Sequence, residues 1–245
     1  MMRLMTTVFI DGAAPLEAAA LTVLFAAFAY WLHGVSMSGA IAGWIVSFVL
    51  YAAAGSRAFI TLVVVFLLTW AATKFGYQRK QKLGTAEKKS GRTASQVLAN
   101  IGVAAACAAA YRLGQGNEIF LLALTTALAE AAADTVSSEV GQAFSETARL
   151  LTTWERVPSG TDGGMTSLGT LSGILAAFLV SFTASATNLL AWKWLPICAC
   201  VAVMATLADS LMGALLERRG ALNNDAVNFL STALAAATAA LVVVL

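Results

Sequence analysis

A chain of 245 residues with 59% hydrophobic and only 11% charged residues cannot cover the surface of a soluble domain, since an ordinary globular sequence carries about 25% charge. Its length leaves room for about seven or eight membrane helices at roughly 20 residues each and none for a separate soluble domain. The formal net charge of +2 gives no reason to expect a nucleic-acid partner, so the information lies in where the charges sit.

Arg3 is followed by Asp11 and Glu17 before the first apolar run. A secretory signal needs a basic start, a short apolar core and a small-residue cleavage site. The polar Asp11–Pro15 stretch intervenes, and the first helix is therefore expected to be retained. Apolar runs follow at Pro15–His33, Met37–Ala54, Ala58–Phe75, Ala94–Leu113, Ile119–Val136, Leu168–Leu190, Trp194–Leu216 and Ala226–Leu245. Eight spans is the direct count, with the first two close enough to be one re-entrant pair. The expected fold is all-α, a polytopic transmembrane helix bundle forming one integral domain over 1–245. It divides into three N-terminal spans (1–73), a basic loop (74–93) and a five-span core (94–245), with polar sites on loops and helix ends. Strands are not expected, because the apolar runs are continuous and lack the alternation of a membrane barrel. Cys107, Cys198 and Cys200 lie inside apolar runs without metal-like spacing to the single histidine, His33, which argues against zinc and for tight helix packing.

Loops one, three, five and seven share a side and hold Lys74, Arg79, Lys80, Lys82, Lys88, Lys89, Arg92, Arg149, Arg156, Arg218 and Arg219. The other side holds Arg3, Arg57, Arg112 and Lys193. The positive-inside rule places the first set in the cytoplasm of a bacterial inner membrane or its equivalent, and both termini opposite. Ala133-Asp134-Thr135 and Ala208-Asp209-Ser210 are similar enough to suggest a parallel internal repeat, though the bias of Ala-rich helices gives the same likeness.

Four elements at the basic face carry chemistry. Glu130, Asp134, Glu139 and Asp209 lie in or at the end of apolar runs, where a carboxylate costs roughly 2.5–3.5 kcal/mol and so faces a cavity or a partner. Glu130 and Asp134 share a helix face, and Glu130 is either part of the site or buried and paired. Gly160-Thr161-Asp162-Gly163-Gly164-Met165-Thr166-Ser167 precedes a helix and can turn backbone N–H groups toward an anion, although an ordinary capped glycine turn fits as well. Asn223-Asn224-Asp225-Ala226-Val227-Asn228 offers amides and a carboxylate; with Asp209 these are oxygen ligands suited to Mg²⁺, unless Asp225 is simply a helix cap. Arg92 stands apart from the lipid-facing lysines of its loop because it adjoins Thr93, Ser95, Gln96 and Asn100.

Arg92–Asn100, Ala133–Gly141, Gly160–Thr170 and Asn223–Asn228 together resemble, in order and spacing, the membrane family that includes the phytyl-phosphate kinase of tocopherol synthesis. Asp134–Gly141 followed by Gly163–Ser167 is more distantly similar to motifs of the CTP-dependent dolichol and polyprenol kinases. The resemblance implies a kinase that moves a phosphoryl group from CTP, or another NTP, to an isoprenoid monophosphate and yields the prenyl diphosphate. In that reading Asp134, Glu139 and Asp209 are catalytic and, with Asp225, hold Mg²⁺. Arg92, Thr93, Ser95, Gln96, Asn100, Ser138, Thr161, Asp162, Gly163, Gly164, Thr166, Ser167, Asn223, Asn224 and Asn228 bind nucleotide and phosphate. The implied partners are the nucleotide, an isoprenoid lipid and the bilayer, with no nucleic acid and a homodimer left open. The alternatives are a prenyl alcohol kinase and a transporter or flippase for lipid phosphates or a small anion. A transporter is disfavoured because it needs polar residues reachable from both faces, often in inverted repeats.

Overall fold

Backbone polar groups in hydrocarbon must be satisfied within their own segment, so the apolar runs become helices. The computed structural model describes residues 15–244, leaving Arg3, Asp11 and Leu245 outside the described residues. The order is α1 (Pro15–Trp31), α2 (Met37–Lys74), α3 (Tyr77–Leu83), α4 (Ala94–Leu113), α5 (Ile119–Phe144), β1 (Thr147–Leu150), β2 (Arg156–Pro158), β3 (Gly164–Met165), α6 (Ser167–Ala186), α7 (Leu195–Met212) and α8 (Asn224–Val244). Among the described residues, 6 helices are long and apolar enough to cross a membrane, and α1 is a shorter apolar one.

The longest of these, α2, is two helices. At Gly55 the backbone takes φ 82° and ψ −178°, a conformation open to a residue without a Cβ. An unbroken helix would carry Phe66 roughly 44 Å from Met37. Instead Phe66 and Trp70 face Gly34, and the Trp70 indole N–H donates to the Leu32 carbonyl at 3.2 Å. The chain doubles back at Gly55, so residues 37–54 and 56–74 form an antiparallel hairpin, the two separate runs read from the sequence.

At the centre stands α5, the most buried helix, with α2, α4, α6, α7 and α8 packed around it. Its alanines let neighbours close in. The tightest approach is to α6, where Gly169 and Gly173 lie one turn apart. A Cβ on Gly169 would sit 2.5 Å from the Ser137 carbonyl oxygen, and one on Gly173 2.9 Å from that of Ala133. This is the small-residue packing that substitutes for hydrophobic driving force inside a bilayer. Gly169→Leu is expected to force the helices apart at a cost of about 1–3 kcal/mol, read as a lowered melting temperature of the purified protein in detergent.

The odd-numbered loops gather at one end of the bundle. Gly34 and Ser36 pair with the backbone of Arg92 at 3.1 and 2.9 Å, joining the α1–α2 turn to the start of α4. At the opposite end Arg57 donates to the Asn188 carbonyl at 3.1 Å, tying the Gly55 turn to the α6–α7 loop.

Two expectations are corrected. Strands do occur: β1, β2 and β3 form a 3-stranded antiparallel sheet in the order β2-β1-β3, just after α5. They are 4, 3 and 2 residues long, too short for a period-two signal. The polar run after Val136 is not loop either; α5 continues to Phe144, and the basic 74–93 segment carries α3.

Candidate functional site

A cleft of about 400 Å³ opens at the loop-rich end, between α4, α5, the glycine-rich loop, the end of α7 and the start of α8. Each wall is held by local structure. Thr93 and Gln96 close a capping box at the start of α4, with the Thr93 N–H donating to Gln96 Oε1 at 2.7 Å. That cap, with the strand-like pairing to Gly34 and Ser36, fixes Arg92. Its guanidinium donates to Thr135 Oγ1 at 3.3 Å and faces the Asp134 carboxylate.

Across the cleft Asp134 on α5 lies within hydrogen-bonding reach of Asp209 on α7. Glu130, one turn deeper on α5, is 1% exposed and faces Asp134, Asp209 and Ser231 of α8. Glu130 Oε1 and Asp209 Oδ2 are buried without a hydrogen-bond partner. The similar Ala-Asp-Thr and Ala-Asp-Ser triplets of the sequence therefore face each other through their aspartates.

Beyond Asp209 the last turn of α7 widens into a π-helix over Gly213–Glu217, a distortion common at functional sites. It turns Glu217 toward Asp134, Asp162 and Asp225. The glycine-rich loop crosses this turn closely. Gly163 has φ 74°, and a Cβ there would lie within 2.6 Å of Ala214 and the Ser210 carbonyl. Only glycine lets the loop pass, and the loop in turn forms one wall of the cleft.

Of the residues expected from sequence, Asp134, Glu139, Asp209, Arg92, Gln96, Asn100, Ser138, Thr161, Asp162, Gly163, Gly164, Thr166, Asn224 and Asn228 all line this cleft. Thr93, Ser95, Ser167, Asn223 and Asp225 do not. Thr93 belongs to the capping box and meets Ser95 at 3.1 Å, while Asn223 Oδ1 caps α8 by accepting from the Ala226 N–H at 2.9 Å. Thr166 lines the cleft, but its hydroxyl is committed to the N–H of Gly169 at 3.0 Å as the cap of α6.

Sequence reasoning missed Glu217 and Gln142. The π-turn carries Glu217 back toward the cleft from what reads as a loop. Gln142 lines the cleft with a buried, unpartnered Oε1, and its place two turns after Asp134 was the available signal.

The four-carboxylate Mg²⁺ set is not assembled as expected. Among the described residues no group of three or more His, Cys, Asp or Glu side chains closes into a ligand cluster. Glu139 is engaged elsewhere: it accepts from Lys80 and, at 3.0 Å, from the Thr73 hydroxyl. Lys80 is 0% exposed and not the lipid-facing cation of the sequence reading. It also donates to the Ala72 and Thr73 carbonyls at 3.0 and 2.8 Å, closing the C-terminus of α2. What remains suits a divalent cation in a smaller form. The facing Asp134 and Asp209 carboxylates, with an orphaned buried oxygen between helices, are hard ligands of the kind Mg²⁺ takes alongside substrate phosphates. The acids around the cleft outnumber Arg92, an imbalance that a bound cation would offset.

A sequence profile described as "Integral membrane protein DUF92" matches residues 20–236. The chain is 32% identical over 216 residues to "Protein VTE6, chloroplastic" of Arabidopsis thaliana, covering 85% of this chain and 65% of that one. It is 36% identical over 199 residues to an uncharacterized membrane protein of Methanocaldococcus jannaschii, with 79% of each chain covered. An uncharacterized membrane protein of Synechocystis matches at 32% over 200 residues, covering 80% of this chain and 78% of that one. No solved structure matches.

Proposed function

Because this chain belongs to the DUF92 family of integral membrane proteins, we propose that it is a membrane kinase for an isoprenoid monophosphate such as phytyl phosphate. The donor is CTP or another nucleoside triphosphate, and the product is the prenyl diphosphate. The observation that carries this reading is the facing Asp134–Asp209 pair set opposite Arg92 in a cleft walled by the glycine-rich loop.

Phosphoryl transfer asks a protein mainly for positioning and charge neutralisation. An oxygen of the prenyl phosphate attacks the γ-phosphorus of the donor, the bond from that phosphorus to the β–γ bridging oxygen breaks, and the nucleoside diphosphate leaves. The attacking group is already an anion, so no side chain has to remove a proton, which fits a cleft without histidine. Mg²⁺ held by Asp134 and Asp209 would supply charge neutralisation to the donor phosphates. Arg92, facing the pair, balances charge on the transferred group, and the glycine-rich loop, whose Thr161 and Gly164 N–H groups donate within its own turns, leaves those of Asp162 and Gly163 for the remaining oxygens. Asn100, Asn224 and Asn228 provide amides along the rim. The density of Lys and Arg in the loops at this end supports a cleft that faces the cytoplasm, where nucleotides are available.

Purified protein incubated with labelled CTP, Mg²⁺ and phytyl or geranylgeranyl phosphate is expected to give labelled prenyl diphosphate. Absence of that product with every prenyl phosphate and nucleoside triphosphate tried sinks the reading.

A further inference from the structure

A second, apolar groove lies beside the polar cleft, between α1, both halves of α2 and α4. Phe25, Val65, Phe66, Val97 and Ile101 line it, and Gly43 leaves it open. The two cavities adjoin, because Glu87, Arg92, Gln96 and Asn100 line both. At that junction the groove also carries Lys74 and Lys88. A cationic mouth leading from a phosphate-transfer cleft into an apolar slot matches an amphiphile with an anionic head and one hydrocarbon tail.

We infer that this groove is the acceptor subsite: it takes the chain of a prenyl monophosphate, with the phosphate held at Arg92 where the groove meets the cleft. The inference rests on the kinase reading above. The slot holds about 100 Å³ against about 400 Å³ for the cleft, room along part of one chain and not for the paired chains of a bilayer phospholipid. Its floor is aromatic. Phe25 packs edge-to-face on Phe59 and Phe66 at centroid distances of 5.4 and 5.3 Å. Phe25 lies six residues before Trp31, where α1 ends at the side of the mouth, about 9 Å along the helix. That floor sets the depth available to the chain.

Gly43 provides the test, since a Cβ added there meets nothing within 4 Å and so strains no backbone. Gly43→Phe fills the slot from inside a helix that gains propensity by the change. The probe is a prenyl monophosphate bearing a diazirine at the far end of its chain, photolysed with the protein in detergent and mapped by mass spectrometry. Adducts are expected on Phe25, Phe66 or their groove neighbours, falling at least tenfold in Gly43→Phe. The same variant is expected to raise KM for the prenyl phosphate about tenfold while leaving KM for the nucleotide unchanged. An unchanged melting temperature shows that the variant folds; Gly43→Leu is the smaller plug should Phe prevent folding. Adducts on the outer faces of α6 or α8, or equal labelling by a diacyl phosphatidic acid probe, overturn the inference. The two readings fail separately. Diphosphate formed at wild-type KM by Gly43→Phe removes the groove and leaves the kinase, whereas groove adducts without any diphosphate remove the kinase and leave the groove.

Discussion

Changing Asp209 to Asn is expected to cut phosphoryl transfer by on the order of 10³-fold while leaving a protein that melts at a higher temperature. The two effects have one cause. Asp209 faces Asp134, Glu130 and Glu217, and its Oδ2 is buried without a hydrogen-bond partner. Such a crowd of like charge costs stability in the folded bundle, and in the kinase reading a bound cation would offset it. Asn keeps the shape, removes the repulsion and discards the ligand. Each kcal/mol recovered raises the melting temperature by ~2–4 °C in a chain of this size. Mg²⁺ should stabilise the wild type and not the variant, since a ligand stabilises only the state that binds it. Asp134→Asn should lose as much turnover but gain less stability, because Arg92 then faces no carboxylate at that position. Full turnover by either variant, with labelled CTP and prenyl phosphate as reactants, removes the aspartate pair from the site.

The second large effect concerns folding. Lys80→Met is expected to destabilise by about 3–5 kcal/mol, the cost of stranding one member of a buried ion pair. Glu139 would be left inside the protein with only the Thr73 hydroxyl donating to it. Glu139→Gln strands Lys80 and should cost a similar amount. The double variant Lys80→Met/Glu139→Gln should regain the greater part of the loss, as no unpaired charge remains. Some deficit persists because Lys80 also closes the Ala72 and Thr73 carbonyls at the end of α2. Thermal unfolding in detergent reads the cycle. If turnover returns together with stability in the double variant, Glu139 serves to hold α3 against α5. A stable but inactive double variant would instead return Glu139 to the catalytic set.

Composition alone made the bundle legible, and continuous apolar runs located its helices. Four motifs scattered from Arg92 to Asn228 pointed to one end of the bundle, where the cleft now gathers most of their residues. Other features left no readable trace. Lys80 sits among charges in a segment that reads as solvated, and nothing local distinguishes it from Lys82. Thr93, Thr166 and Asn223 stand at helix starts, where an oxygen that caps a helix and an oxygen that binds a ligand have the same chemistry. Glu217 turned out to line the cleft because a π-turn moves it, and a one-residue change in helical phase is invisible to a search for apolar periodicity. Glu130 was open between pairing and function; its place, one turn below Asp134 and facing Asp209, buries it beneath the cleft and outside its lining.

The central position of α5 also bears on how the protein is made. This helix carries Glu130 and Asp134 through the heart of the bundle, yet their neighbours Asp209 and Ser231 belong to α7 and α8. During synthesis those segments emerge after α5 has already been offered to the membrane. Each central carboxylate opposes insertion by roughly 2.5–3.5 kcal/mol. The unbroken Ile119–Ala129 stretch ahead of them must therefore drive partitioning by its own apolar weight. Its leucines are constrained twice, as core packing in the finished bundle and earlier as ballast that carries a polar site into lipid before its partners exist.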